Sequence, residues 1–159
     1  MNDEELEEAI TDGPLDGEID AIHIIGRIVH AFTFKYTDNF DKTTFNFPES
    51  ELDQFTVTIQ NLVTKNIIDN PVNDAILDTY LQILDLYDEG PLTFKFYIVS
   101  NKQKPVPSAI LKFENAISQF RYTEVIYFDL EDLVKKLLED RYPTSTIVSP
   151  RIKLSITSY

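Results

Sequence analysis

Asp16-Gly17-Glu18-Ile19-Asp20, followed by residues 28–36 with Thr33-Phe34-Lys35 near their close, is the stretch whose reading decides the fold. Residues 19–25 are apolar and rich in isoleucine, which predicts a strand buried on both faces. Residues 28–36 predict a second strand, and Gly26-Arg27 between them reads as a two-residue turn. The pair is therefore an antiparallel hairpin. Its geometry sets the start of the first strand beside the end of the second. Asp20 and Lys35 are expected to meet there, at the hairpin's open end.

Outward from the hairpin, residues 3–10 (Asp-Glu-Glu-Leu-Glu-Glu-Ala-Ile) read as a short helix with its acidic residues where the helix dipole favours them. Residues 37–47 are polar and aromatic without a clear period, and read as a loop that folds back on the core. Pro48 suits the first turn of a helix over residues 49–65, where Leu52, Phe55, Ile59, Leu62 and Val63 recur at helical spacing. A helix over 72–87 carries Ile76, Leu77, Tyr80, Leu81, Leu84 and Tyr87 on one side. Residues 92–99 alternate as a strand, and 107–120 form a helix with Ile110, Phe113, Ile117 and Phe120 in one stripe. A strand over 123–128, a helix over 130–138 with Asp129 as N-cap, and an edge strand over 151–158 complete the order. Strands alternating with helices imply an α/β fold, a mixed β-sheet flanked by helices, in a single domain over 1–159.

The composition bounds what such a domain can do. There are 159 residues, 27 acidic against 14 basic, and a formal net charge of -13. That is long enough for one sizeable core. The charge opposes non-specific nucleic-acid binding and leaves open mimicry of a nucleic acid towards a basic partner. There is no cysteine, so neither a disulfide framework nor a Cys-based zinc site is available. His23 and His30 alone cannot fill a zinc site, and both fit strand patterns. The acidic N-terminus is unlike a signal peptide, and no apolar run approaches the ~20 residues of a membrane span. A cytoplasmic protein with no membrane partner is the expectation.

The hairpin residues match the needs of phosphodiester hydrolysis. Mg²⁺ takes oxygen ligands and keeps several waters, so two or three carboxylates or carbonyls suffice to hold it. The ion polarises the phosphate and activates the attacking water, and a nearby lysine neutralises developing charge. Asp20 and Lys35 supply the carboxylate and the ammonium, and Glu5 or Glu8 of the first helix is available to complete the metal shell. Read singly, these residues are ordinary: a turn before a strand, a solvated lysine, a strand threonine, a solvated helix face. Their joint spacing is what carries the functional reading.

Thr11-Asp12-Gly13-Pro14-Leu15-Asp16-Gly17-Glu18-Ile19-Asp20 with Phe32-Thr33-Phe34-Lys35-Tyr36 resembles the N-terminal domain of AIPR (abortive phage infection) proteins. More widely it resembles the Mrr-like branch of the PD-(D/E)XK restriction-endonuclease-like superfamily. That resemblance implies a restriction-endonuclease-like sheet and Mg²⁺- or Mn²⁺-dependent cleavage of DNA in phage defence. It makes Asp20 the metal-binding aspartate and Lys35 the catalytic lysine. The backbone carbonyl of Phe34 becomes a further metal ligand, and Glu5 or Glu8 the helix glutamate. Two positions depart from the pattern. Glu18 replaces a glycine, and Thr33 stands where the family places Gln or Glu in the catalytic element. Thr33 offers only a short neutral hydroxyl, whereas Glu18 is available as a substitute carboxylate.

Two functions follow. One is a nuclease of phage-defence type acting on DNA. The other is a nuclease fold without cleavage, a binding or regulatory module or an acidic inhibitor that occupies a basic protein partner. Lys102, Lys104, Lys112 and Arg121 form the main concentration of positive charge outside the C-terminal helix, which is thin for gripping DNA. A small-molecule enzyme is disfavoured, because the four glycines form no phosphate-binding loop.

Overall fold

A computed structural model describes residues 9–10, 18–66 and 74–141. The predicted strand over 151–158, and the predicted first helix apart from Ala9 and Ile10, lie outside those residues.

The hairpin forms as its sequence requires. Strand β1 (Ala21–Ile25) pairs antiparallel with β2 (Ile28–Lys35), from Ala21 opposite Phe32 to Ile25 opposite Ile28. Gly26 takes φ +59, the left-handed value that a two-residue turn with glycine in first place needs. The chain then crosses through two helices, α1 (Glu49–Thr64) and α2 (Asp74–Glu89), to β3 (Thr93–Ser100). Helix α3 (Pro107–Ile117) leads to β4 (Thr123–Phe128), and α4 (Leu130–Arg141) follows. The sheet order is β1-β2-β3-β4, with β2, β3 and β4 mutually parallel. The described residues thus form a four-stranded mixed sheet with four α-helices.

Alternation divides the sheet into two unlike faces. Ile22 of β1, Val29, Ala31 and Thr33 of β2, and Phe94, Phe96, Ile98 and Ser100 of β3 are all buried on one of them. Leu52, Phe55, Ile59 and Leu62 of α1 recur at three- and four-residue spacing and pack into the same core. Phe55 lies edge-on to Phe96 and stacked on Phe113 of α3, at 6.2 and 6.3 Å between ring centres. The opposite face, with His30, Phe32 and Tyr97, is only half-buried.

Several expectations shift on this frame. Among the described strands β1 lies at the edge, bridged there by Ile10 to Ala21; it is packed on one face rather than buried on both, and Ile25 is exposed. Pro48 is the N-cap of α1 rather than its first turn. The buried stripe of α2 is Ile76, Tyr80 and Ile83, while Leu77 and Leu81 are exposed. The segment 37–47 holds a 3-10 helix (Phe40–Thr44), and only Phe47 of its phenylalanines folds back into the core. Phe40 and Phe45 are 80% and 60% exposed, so that segment presents aromatic surface instead of covering the core.

The hairpin turn also fastens α2. The Arg27 guanidinium donates to the carbonyls of Leu86, Gly90 and Pro91, at 2.9, 2.5 and 3.1 Å. Helices end with carbonyls that lack intrahelical partners, and a planar fork of donors suits them. The Arg27 carbonyl in turn accepts the Thr93 amide and so starts the β2–β3 ladder. Among the described residues no helix is long and apolar enough to cross a membrane.

Candidate functional site

At the open end of the hairpin, the Asp20 amide donates to the Phe32 carbonyl at 2.9 Å, one step before the first residue of β1. That places Asp20 opposite Thr33 in the register. Its Oδ2 accepts the Phe34 amide at 2.5 Å. The N–H and C=O of one strand residue point to the same edge, so the Phe34 carbonyl is also directed to the Asp20 side. The carboxylate and carbonyl expected to share a cation therefore belong to one edge of one strand end.

Lys35 closes the other side of that end. Its ammonium pairs with Glu51 in the first turn of α1, at 2.5 Å, and its carbonyl accepts the Ser100 hydroxyl at 2.7 Å. Beyond it, Asn101 exchanges two hydrogen bonds with the Thr37 backbone, at 2.9 and 2.7 Å. The end of β2 is thus tied to β3 by side chains after the ladder stops. Glu51, Ser100 and Asn101 were not legible as site residues. Their one sequence signal is polarity at strand and helix ends.

A cavity of about 460 Å³ opens here, lined by Ile10, Asp20, Phe34, Lys35 and Tyr36. Three of the expected site residues, Asp20, Phe34 and Lys35, are brought together around it. Thr33 is not among its walls. It is 1% exposed on the core face, so its short side chain fills protein interior. Glu18 takes φ +64, a left-handed turn before pairing begins, so strand alternation does not orient its carboxylate. Glu5 and Glu8 lie outside the described residues.

The donor chemistry at Asp20 and Phe34 is hard oxygen, which suits Mg²⁺ or Mn²⁺. Among the described residues no three His, Cys, Asp or Glu side chains gather as a metal cluster. His23 and His30 face each other across β1 and β2, and His30 Nδ1 lies 2.9 Å from the Tyr97 hydroxyl. Burial first, then Lys95 and His23, lowers the His30 pKa.

A second cavity, of about 500 Å³, lies outside the carboxyl ends of β3 and β4, between Thr43, Lys102, Lys104 and Asp129. Its polar groups serve one another. Lys104 pairs with Asp132 at 3.1 Å, and Thr43 donates to the Phe40 carbonyl. Asp132 and Asp129 also cap each other's backbone amides. Lys112 is taken by Asp53 at 2.6 Å. Lys104 and Lys112 of the positive cluster seen in the sequence are therefore neutralised in place.

No family model, curated protein or solved structure matches the chain.

Proposed function

We propose that this chain is a PD-(D/E)XK nuclease-like domain of AIPR type that hydrolyses phosphodiester bonds in DNA with Mg²⁺ or Mn²⁺. The observation that carries the reading is the meeting of Asp20, Phe34 and Lys35 around one cavity at the end of a hairpin. The order of a carboxylate strand, a lysine strand and a helical crossover to a parallel strand supports a restriction-endonuclease-like scaffold. Asp20 and the Phe34 carbonyl would hold the metal, with Glu5 or Glu8 as a further ligand and water filling the remaining positions. The metal supplies a polarised phosphate and an activated water. Lys35, steadied by Glu51, sets a positive charge where the phosphorane would form.

The burial of Thr33 favours a second reading, in which the scaffold persists without cleavage as a binding or regulatory protein, or as an acidic inhibitor of a basic partner. A buried hydroxyl supplies no carboxylate to the metal. One experiment separates the two. Plasmid DNA is incubated with Mn²⁺ and the wild type, Asp20→Ala or Lys35→Ala. The nuclease reading expects cleavage that each substitution reduces by roughly 100-fold or more. Absence of wild-type cleavage, together with no heat on titrating Mn²⁺, leaves the second reading. That reading then requires a basic partner whose complex weakens with salt.

A further inference from the structure

On the sheet face turned away from the core, four rings run as one stack. His30 and Tyr97 have ring centres 5.7 Å apart, Tyr97 and Phe32 4.4 Å, and Phe32 and Phe34 5.9 Å. Every step is within 18° of parallel. Exposure grows along the stack. The first three rings are half-buried, whereas Phe34 is 48% exposed. Tyr36, next on that side of the strand, is 76% exposed. The open end of the stack is a wall of the cavity that holds Asp20 and Lys35.

We infer that this cavity takes unpaired nucleotides, with a base stacked against Phe34 and Tyr36 and its phosphodiester crossing the strand edge towards Lys35, whose side chain lies with Ser100 and Glu51 on the other face. The inference rests on the phosphodiester reading above and names the substrate class of the same site. Charge supports it. A chain of net charge -13, with Lys104 and Lys112 already in ion pairs, has little with which to neutralise a row of duplex phosphates. Base stacking on an aromatic face needs no net charge and tolerates any base. In a duplex the faces of the bases are occupied by their neighbours, whereas in a single strand they can be splayed onto protein rings. The half-buried rings behind Phe34 hold it in place, so little side-chain freedom is lost when a base arrives. The Lys35 ammonium carries three donors, and the Glu51 pair leaves capacity for a phosphate oxygen.

The test is binding without catalysis. Fluorescence anisotropy is followed in EDTA with a labelled oligothymidylate of about 12 nucleotides, within the site sizes of stacking platforms. The same strand annealed to oligodeoxyadenylate is the duplex control. The inference expects the single strand to bind at least about tenfold more tightly than the duplex, and Phe34→Ala and Tyr36→Ala each to weaken binding by about 5- to 100-fold. Both side chains are exposed, so the variants should melt like the wild type, and Phe34→Trp should retain binding. Equal affinity for the two forms, single-strand binding that survives both alanines, or no binding to either form overturns it. So does self-association through these rings, seen by light scattering and abolished by Phe34→Ala. Because the assay contains no metal, it stands apart from cleavage. Mn²⁺-dependent cutting with no preference for single strands sinks this inference and keeps the nuclease.

Discussion

His30 shows how a single side chain couples the sheet to pH. It stands in the ring stack, bonded to Tyr97 and facing His23 and Lys95. Burial, then Lys95, then His23, hold its pKa below 6.5 in the folded chain. The unfolded chain therefore binds the proton more tightly. This contribution to stability is full above 6.5 and is lost as pH falls towards the folded value. Urea midpoints should drop between about pH 7.5 and pH 5.5, and His30→Phe should flatten that drop while preserving the stack. At pH 7.5 the variant should also lose about 1 kcal/mol, because the hydrogen bond to Tyr97 is gone. At this scale the sequence was a partial guide. Asp20 and Lys35 were legible as neighbours because a two-residue turn fixes the hairpin register. The burial of Thr33 was not, since it depends on which face α1 covers. The pairing of Lys35 with Glu51 spans a loop whose path no local spacing encodes.

Among the elements, the hairpin turn does more than reverse the chain. Arg27 takes up three carbonyls at the end of α2, and Gly90 there holds φ +148, a backbone conformation that residues with side chains rarely adopt. Arg27→Ala should lower the unfolding free energy by about 2 kcal/mol, measured by urea denaturation. Arg27→Lys should recover little, because one ammonium cannot span the fork. The elements themselves were readable because hydrophobic period separates strand from helix. β2, β3 and β4 follow alternation, and α1 follows its three- and four-residue spacing. The reading was less true for α2, where the apolar arc is wide and burial selects Ile76, Tyr80 and Ile83 over Leu77 and Leu81. The isoleucines of β1 suggested a central strand. Its place at the edge of the described strands became clear only once pairing was known.

For the whole molecule, charge and topology set the remaining behaviour. A net charge of -13 on 159 residues repels itself, and the ion pairs present are at least partly exposed, each worth about 0–1 kcal/mol. Raising salt from about 0.01 to 0.15 M shortens the screening length from about 30 to about 8 Å. The melting temperature should therefore rise over that range. A fall would show that attraction within ion pairs outweighs the net repulsion. The mixed sheet was legible from the alternation of elements, but the strand order was not, because it depends on contacts far apart in sequence. That distance has a consequence for the order of events in folding. Ser100 donates to the Lys35 carbonyl across 65 positions, and the whole β2–β3 seam joins residues about that far apart. Closing so long a loop is a slow step, whereas a two-residue turn closes at once. The newborn hairpin thus carries Asp20 and Lys35 together early, with one edge of β2 bare until β3 arrives. During that interval the protein is most open to pairing with a stray strand.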